Sequence, residues 1–115
     1  MALDGGNEEP LVDTPAQADL IDALGPEEFG ELIRTFFDGL PGGLSRIEAA
    51  VALGQCPAIA SAAHTVKGSA GNMGFVRLSA DAARIERAAK EGNGDLADLL
   101  ARLRATIVES AALFP

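Results

Sequence analysis

Nine apolar side chains between residues 29 and 51 limit this chain more than any other feature. Phe29, Leu32, Ile33, Phe36, Phe37, Leu40, Leu44, Ile47 and Val51 follow one another at gaps of three, one and four. That spacing has the 3.6-residue period of a helix and not the period of two of a strand. Pro26, Glu27 and Glu28 precede it, with proline suited to a first helical position and acids suited to the positive end of the helix dipole. Inside the stripe, Gly39-Leu40-Pro41-Gly42-Gly43 is weak. Pro41 has no N–H to give to Phe37, and each glycine costs about 1 kcal/mol relative to alanine. The stripe keeps its phase across the break, so the spacing predicts one long, kinked helix, with two shorter helices as the alternative.

The rest of the chain reads in the same way. Thr14-Pro15-Ala16-Gln17 is a helix start in which Thr14 caps and Gln17 completes a capping box. Leu20, Ile21 and Leu24 form its apolar patch, and Gly25 stops it. Pro57 opens a third helix that ends near Gly74. A fourth runs from about Phe75 to Glu91, with Phe75, Leu78, Ala82, Ile85 and Ala89 inward. Gly92-Asn93-Gly94 stops it, and a fifth helix follows from Asp95, with Leu96, Leu99, Leu100, Leu103, Ile107 and Ala111 inward. Glu86 with Lys90, and Asp98 with Arg102, are acid-first i,i+4 pairs. The expectation is an all-α domain over residues 13–115, an antiparallel four-helix bundle with a short additional N-terminal helix across one end or flank. Residues 1–12 are polar and acidic and are expected to be a flexible N-terminal segment.

Composition narrows the function. The net charge of -8 argues against a nucleic-acid or anionic-membrane surface, because both need clustered basic residues. No stretch approaches the roughly 20 apolar residues of a membrane span. One cysteine forms no internal disulfide, and the first residues lack the basic start and apolar run of a secretory signal. A cytoplasmic location is therefore expected.

His64 is the only histidine. On a wheel of roughly 100° per residue, Ile59, Ala62, Ala63, Val66, Ala70 and Met73 form the inward side of the third helix, and His64 falls roughly 140° from Ile59. Its neighbours at i-4, i+3, i+4 and i+7 are Ala60, Lys67, Gly68 and Gly71. The ring is expected above a low, flat surface with a lysine beside it. Two glycines within a helix cost about 2 kcal/mol together. That cost makes sense where a second protein must approach the ring, or where a neighbouring helix packs closely. An exposed imidazole is largely neutral, hence nucleophilic, near pH 7. A metal site is disfavoured because there is no second histidine and Cys56 is eight residues away. A general-base enzyme is disfavoured because no carboxylate stands at i±3 or i±4 to orient the ring, and there is no glycine-rich phosphate loop.

The run His64-Thr65-Val66-Lys67-Gly68-Ser69-Ala70-Gly71-Asn72-Met73-Gly74 resembles the signature of histidine-containing phosphotransfer (HPt) domains. Leu78-Ser79 and Ile85-Glu86-Arg87-Ala88-Ala89 are similar to the family's next helix, and Phe36-Phe37 with Leu40-Pro41 to its long one. The resemblance covers about residues 13–113. It implies that His64 is the phosphoacceptor, reacting through the ring nitrogen remote from the main chain. It implies that Lys67 supports the phosphoryl group electrostatically, that Gly68 clears space for a receiver domain, and that Gly74 ends the acceptor helix. Ala60, Gly68, Gly71, Arg77 and Arg84 are the expected docking residues. Val66, where leucine is common in the family, and Cys56-Pro57, where an acidic cap is common, are departures away from the chemistry. The implied partners are response-regulator receiver domains and hybrid histidine kinases. Mg²⁺ is expected on the receiver, and no cofactor or metal on this chain. The chain is expected to be a monomeric carrier without kinase activity of its own. Two other readings stay open, the phosphoacceptor domain of a chemotaxis-type kinase and a helical adaptor that carries no phosphate.

Overall fold

The computed structural model describes residues 9–114, and they form five helices with no strand among them. They are α1 (Thr14–Leu24), α2 (Pro26–Leu53), α3 (Cys56–Asn72), α4 (Val76–Glu91) and α5 (Leu96–Ala111). The four longer helices contact in cyclic order, α2 with α3, α3 with α4, α4 with α5 and α5 with α2, and α1 packs on α2. The most extensive pairing is α3 with α4, the one that carries the site.

Helix α2 is continuous for 28 residues with Pro41 inside it. The reason is the apolar stripe on either side of the proline. Leu40 and Ile47 are buried, and Leu44 packs against the core. That burial outweighs the roughly 3 kcal/mol a helical proline costs. Gly43 lets α2 approach α3, since a Cβ there would stand 3.1 Å from Val66 Cγ2. All five phenylalanines meet in one cluster centred on Phe75, which is stacked on Phe36 at 5.0 Å and met edge-on by Phe37 and Phe114. Phe29 touches Phe114 at the cluster's edge. Leu32, expected inward, is exposed at the margin of the α2 stripe. Asp98 and Arg102 make no ion pair among the described residues, whereas Arg104 of α5 pairs with Glu48 of α2.

The N-terminal helix is fixed differently from the expectation. Asp13 caps α1, accepting a hydrogen bond from Ala16 N–H at 3.0 Å, so Thr14 is the first helical residue and not the cap. Gln17 does not close a capping box. Its amide is buried and donates to the Met73 carbonyl at 3.0 Å, while Asp13 N–H donates to the Gly74 carbonyl. Gly74 has φ +77°, and a Cβ there would stand 2.8 Å from Gln17 Cγ. A residue with a side chain would be strained by the left-handed backbone and would collide with α1. Gly74 thus ends α3 and seats α1 on its terminus. The expected flexible segment lies outside the described residues for 1–8. Within 9–12, Val12 packs against the core and Glu9 is bonded to Arg77 and Arg84.

Candidate functional site: one histidine and two lysines on a single carboxylate

His64 projects from the middle of α3 with 65% of its side chain exposed. The inward side of the same helix is as expected, with Ile59, Ala63, Val66 and Ala70 buried. The ring is not isolated. Its Nδ1 lies 3.1 Å from Glu86 Oε2 of α4. The two other donors on that carboxylate are lysines, with Lys67 Nζ 2.8 Å from Oε1 and Lys90 Nζ 3.0 Å from Oε2. Glu86 is buried at 9% side-chain exposure, between more exposed partners.

This environment fixes the charge of Glu86. The Lys67 hydrogen bond, then that from Lys90, and then that from His64 hold its carboxyl down at about 2, against the opposing cost of burial. An ionised carboxylate only accepts hydrogen bonds, so Nδ1 must carry the proton in the His64–Glu86 contact. In a neutral ring the lone pair then resides on Nε2, the nitrogen pointing away from the partner. A carboxylate, absent at i±3 and i±4 of α3, arrives from α4. Glu86 is the site residue the sequence reading missed. Its signal was present in the fourth helix, where it follows core Ile85 and stands four residues after core Ala82, on the flank of the apolar stripe.

The remaining expected site residues divide. Gly68 faces open space, with no atom within 4 Å of a Cβ built there. Gly71 lies at the α3–α4 contact, 3.5 Å from Ser79 Oγ by the same construction, and Ser79 donates to the Lys67 carbonyl at 3.0 Å. Ala60 is corrected from a presented patch residue to a core residue at 8% exposure that lines a cleft. The surface beside His64 opens into a shallow cleft. The cleft holds about 640 Å³, and Pro57, Ala60 and Ala89 give it apolar walls next to His64, Glu86 and Lys90. Arg77 and Arg84 do not join the cluster. Arg77 donates to the Glu9 carbonyl and to Glu109, and Arg84 bonds Glu9 and Asp81, so both are engaged towards the N-terminal segment and α5. Among the described residues no group of three or more His, Cys, Asp or Glu side chains is placed to hold a metal ion, and no helix is long and apolar enough to cross a membrane.

The model of the Hpt domain family matches residues 31–112, the span that contains the His64 motif and the helix bearing Glu86. The chain belongs to the Hpt domain family. The fold agrees. A crystal structure of histidine-containing phosphotransfer protein B from Pseudomonas aeruginosa PAO1 superposes with a TM-score of 0.86, at 26% identity over 93% of each chain. A comparison with curated protein sequences found no match. As an Hpt domain, the chain falls among the histidine phosphotransfer proteins of two-component signalling.

Proposed function

We propose that this Hpt domain is an antiparallel four-helix bundle that accepts a phosphoryl group on His64 Nε2 from an aspartyl phosphate of a receiver domain and returns it to a second receiver. The observation that carries the reading is the polarity of the ring. Glu86 holds the Nδ1 proton, and the exposed Nε2 keeps its lone pair for an electrophile arriving from solvent.

The step balances without a proton transfer. The Nε2 lone pair forms the N–P bond while the acyl O–P bond breaks, and the departing oxygen becomes the receiver's carboxylate. The ring gains a positive charge but keeps its Nδ1 proton, and that charge develops 3.1 Å from the Glu86 carboxylate. A preorganised anion at that place stabilises the transition state for transfer in either direction. The phosphorylated ring leaves as neutral imidazole in the return step, so the same contact serves both. Lys67 adds a cation next to the phosphoryl oxygens, and open Gly68 lets the partner backbone approach. The divalent ion used in such transfers is assigned to the receiver. On this reading the partners are response-regulator receivers and hybrid histidine kinases. The carrier has no ATP-dependent activity of its own and works as a monomer.

Incubation with a phosphorylated receiver tests the proposal. The expected result is an acid-labile, alkali-stable label on this chain that is absent from His64→Gln. Failure to label with several competent receivers, or label retained in His64→Gln, overturns it.

A further inference from the structure

The chain has only two lysines, Lys67 and Lys90, against seven arginines, and both lysines bond the carboxylate that holds its only histidine. Lys67 belongs to the acceptor motif. Lys90 comes from the far end of α4 and has no part in that motif. It shares Glu86 Oε2 with His64 Nδ1, so its ammonium lies within two hydrogen-bond lengths of the ring. Lys90 and His64 also line the same 640 Å³ cleft, whose lining does not include Lys67. Lys67 lies instead with Ala83, Arg87 and Glu91 along a second hollow, on which Glu86 and Lys90 border as well. Of the two lysines, Lys90 is the one that lines the cleft shared with His64.

We propose that Lys90 is a second phosphoryl-binding cation, and that phosphorylation of His64 draws its ammonium from Glu86 towards the phosphoryl oxygens. The inference rests on the carrier reading above and adds a residue to it. Three features support the exchange. Lys90 is 65% exposed, so its four-carbon stem is free to swing. An ammonium carries three donors, so one can remain on Glu86 while another turns to the new anion. With the ring neutral, the two lysines outweigh the one carboxylate, and the cluster is left net positive within a chain of net charge -8. A phosphoryl group brings up to two negative charges to that place.

The test uses the full chain, phosphorylated on His64 with phosphoramidate, and follows the ³¹P shift of the phosphohistidine against pH. A nearby cation favours the dianionic phosphoryl group. Removing it in Lys90→Met should raise the midpoint of that ionisation by about half a pH unit, the size of one charge at this range in partly solvated surroundings. Lys90→Arg should restore it. In a Glu86→Gln background Lys90→Met should still raise the midpoint, because the contact is with the phosphoryl group and not through Glu86. Because there are two lysines, side-chain ¹⁵N spectra give two ammonium signals, and that of Lys90 should move on phosphorylation. A midpoint unchanged in Lys90→Met, or a Lys90 signal in the wild-type chain that stays put on phosphorylation, would overturn the role of Lys90 alone. Wild-type chain that takes no phosphoryl group from phosphoramidate or a phosphorylated receiver would overturn the carrier reading and this inference together.

Discussion

Helix α4 carries two buried acids five residues apart, and their surroundings differ. Asp81, 3% exposed, faces α5, where Thr106 donates to its Oδ2, and Arg84 donates to its Oδ1 at 2.9 Å. Arg84 in turn binds Glu9, whose carboxyl sits below its usual range because of a backbone hydrogen bond first and Arg84 second. Glu86 faces α3 and is held by donors that are themselves a third to two-thirds exposed. One acid is surrounded by a short hydroxyl side chain and a planar guanidinium, groups that lock a geometry. The other is surrounded by two flexible ammonium groups and an imidazole, groups that can exchange partners or react. Buried acids on one helix thus divide into a tie between helices and a hub of exchangeable donors according to what donates to them.

Substitutions can break or sharpen that contrast. His64→Gln should reduce phosphoryl uptake to background while the melting temperature stays close to wild type, because the ring is mostly solvent-exposed; phosphotransfer and thermal melting on the same sample check both. Asp81→Ala should do the reverse. It strands Thr106 and part of Arg84, costing about 2–3 kcal/mol in denaturant unfolding, while the folded fraction keeps its uptake. Glu86→Gln should lower the uptake rate roughly ten- to a hundredfold, the range typical of removing a group that orients a reactive one, with a modest stability loss. Acid titration gives a further check on Glu86. Its carboxyl is depressed to about 2 in the fold, so its stabilising contribution is full above the unfolded value near 4.5 and is lost as pH falls towards 2. Unfolding free energies measured across that window should fall less steeply in Glu86→Gln than in wild type. The smallest effect is expected at Gly68. Gly68→Gln should slow transfer from a receiver several-fold and leave phosphoramidate labelling unchanged, since nothing within this chain occupies that space.

The fold was largely legible because each helix carries its own stripe. The phase of residues 29–51 ran through Pro41, and α2 is indeed one helix. The inward side of α3 was also readable, and with it the outward placement of His64. What stayed hidden depends on how one helix is turned against another. Glu86 meets His64 across 22 residues of sequence, and the i,i+4 pair with Lys90 was visible without its third and fourth members. Arg77 and Arg84 were correctly off the core stripe, yet a single helix does not tell which neighbour its flank will meet, and theirs is Glu9, Glu109 and Asp81. Ala60 and Gln17 went astray for a related reason. A small residue one turn from a reactive one suits a bare surface as well as a tight helix contact, and a glutamine three residues after a threonine suits a local cap as well as the distant Met73 carbonyl.

Which nitrogen of His64 bears the phosphoryl group decides whether Glu86 governs the ring. Nitrogen–phosphorus NMR on the ¹⁵N-labelled, phosphorylated chain resolves this for a single histidine without assignment ambiguity. Coupling of ³¹P to Nε2, with Nδ1 still protonated and facing Glu86, is the predicted result. Phosphorus on Nδ1 would mean that the Glu86 contact does not govern the ring, and would contradict the central claim.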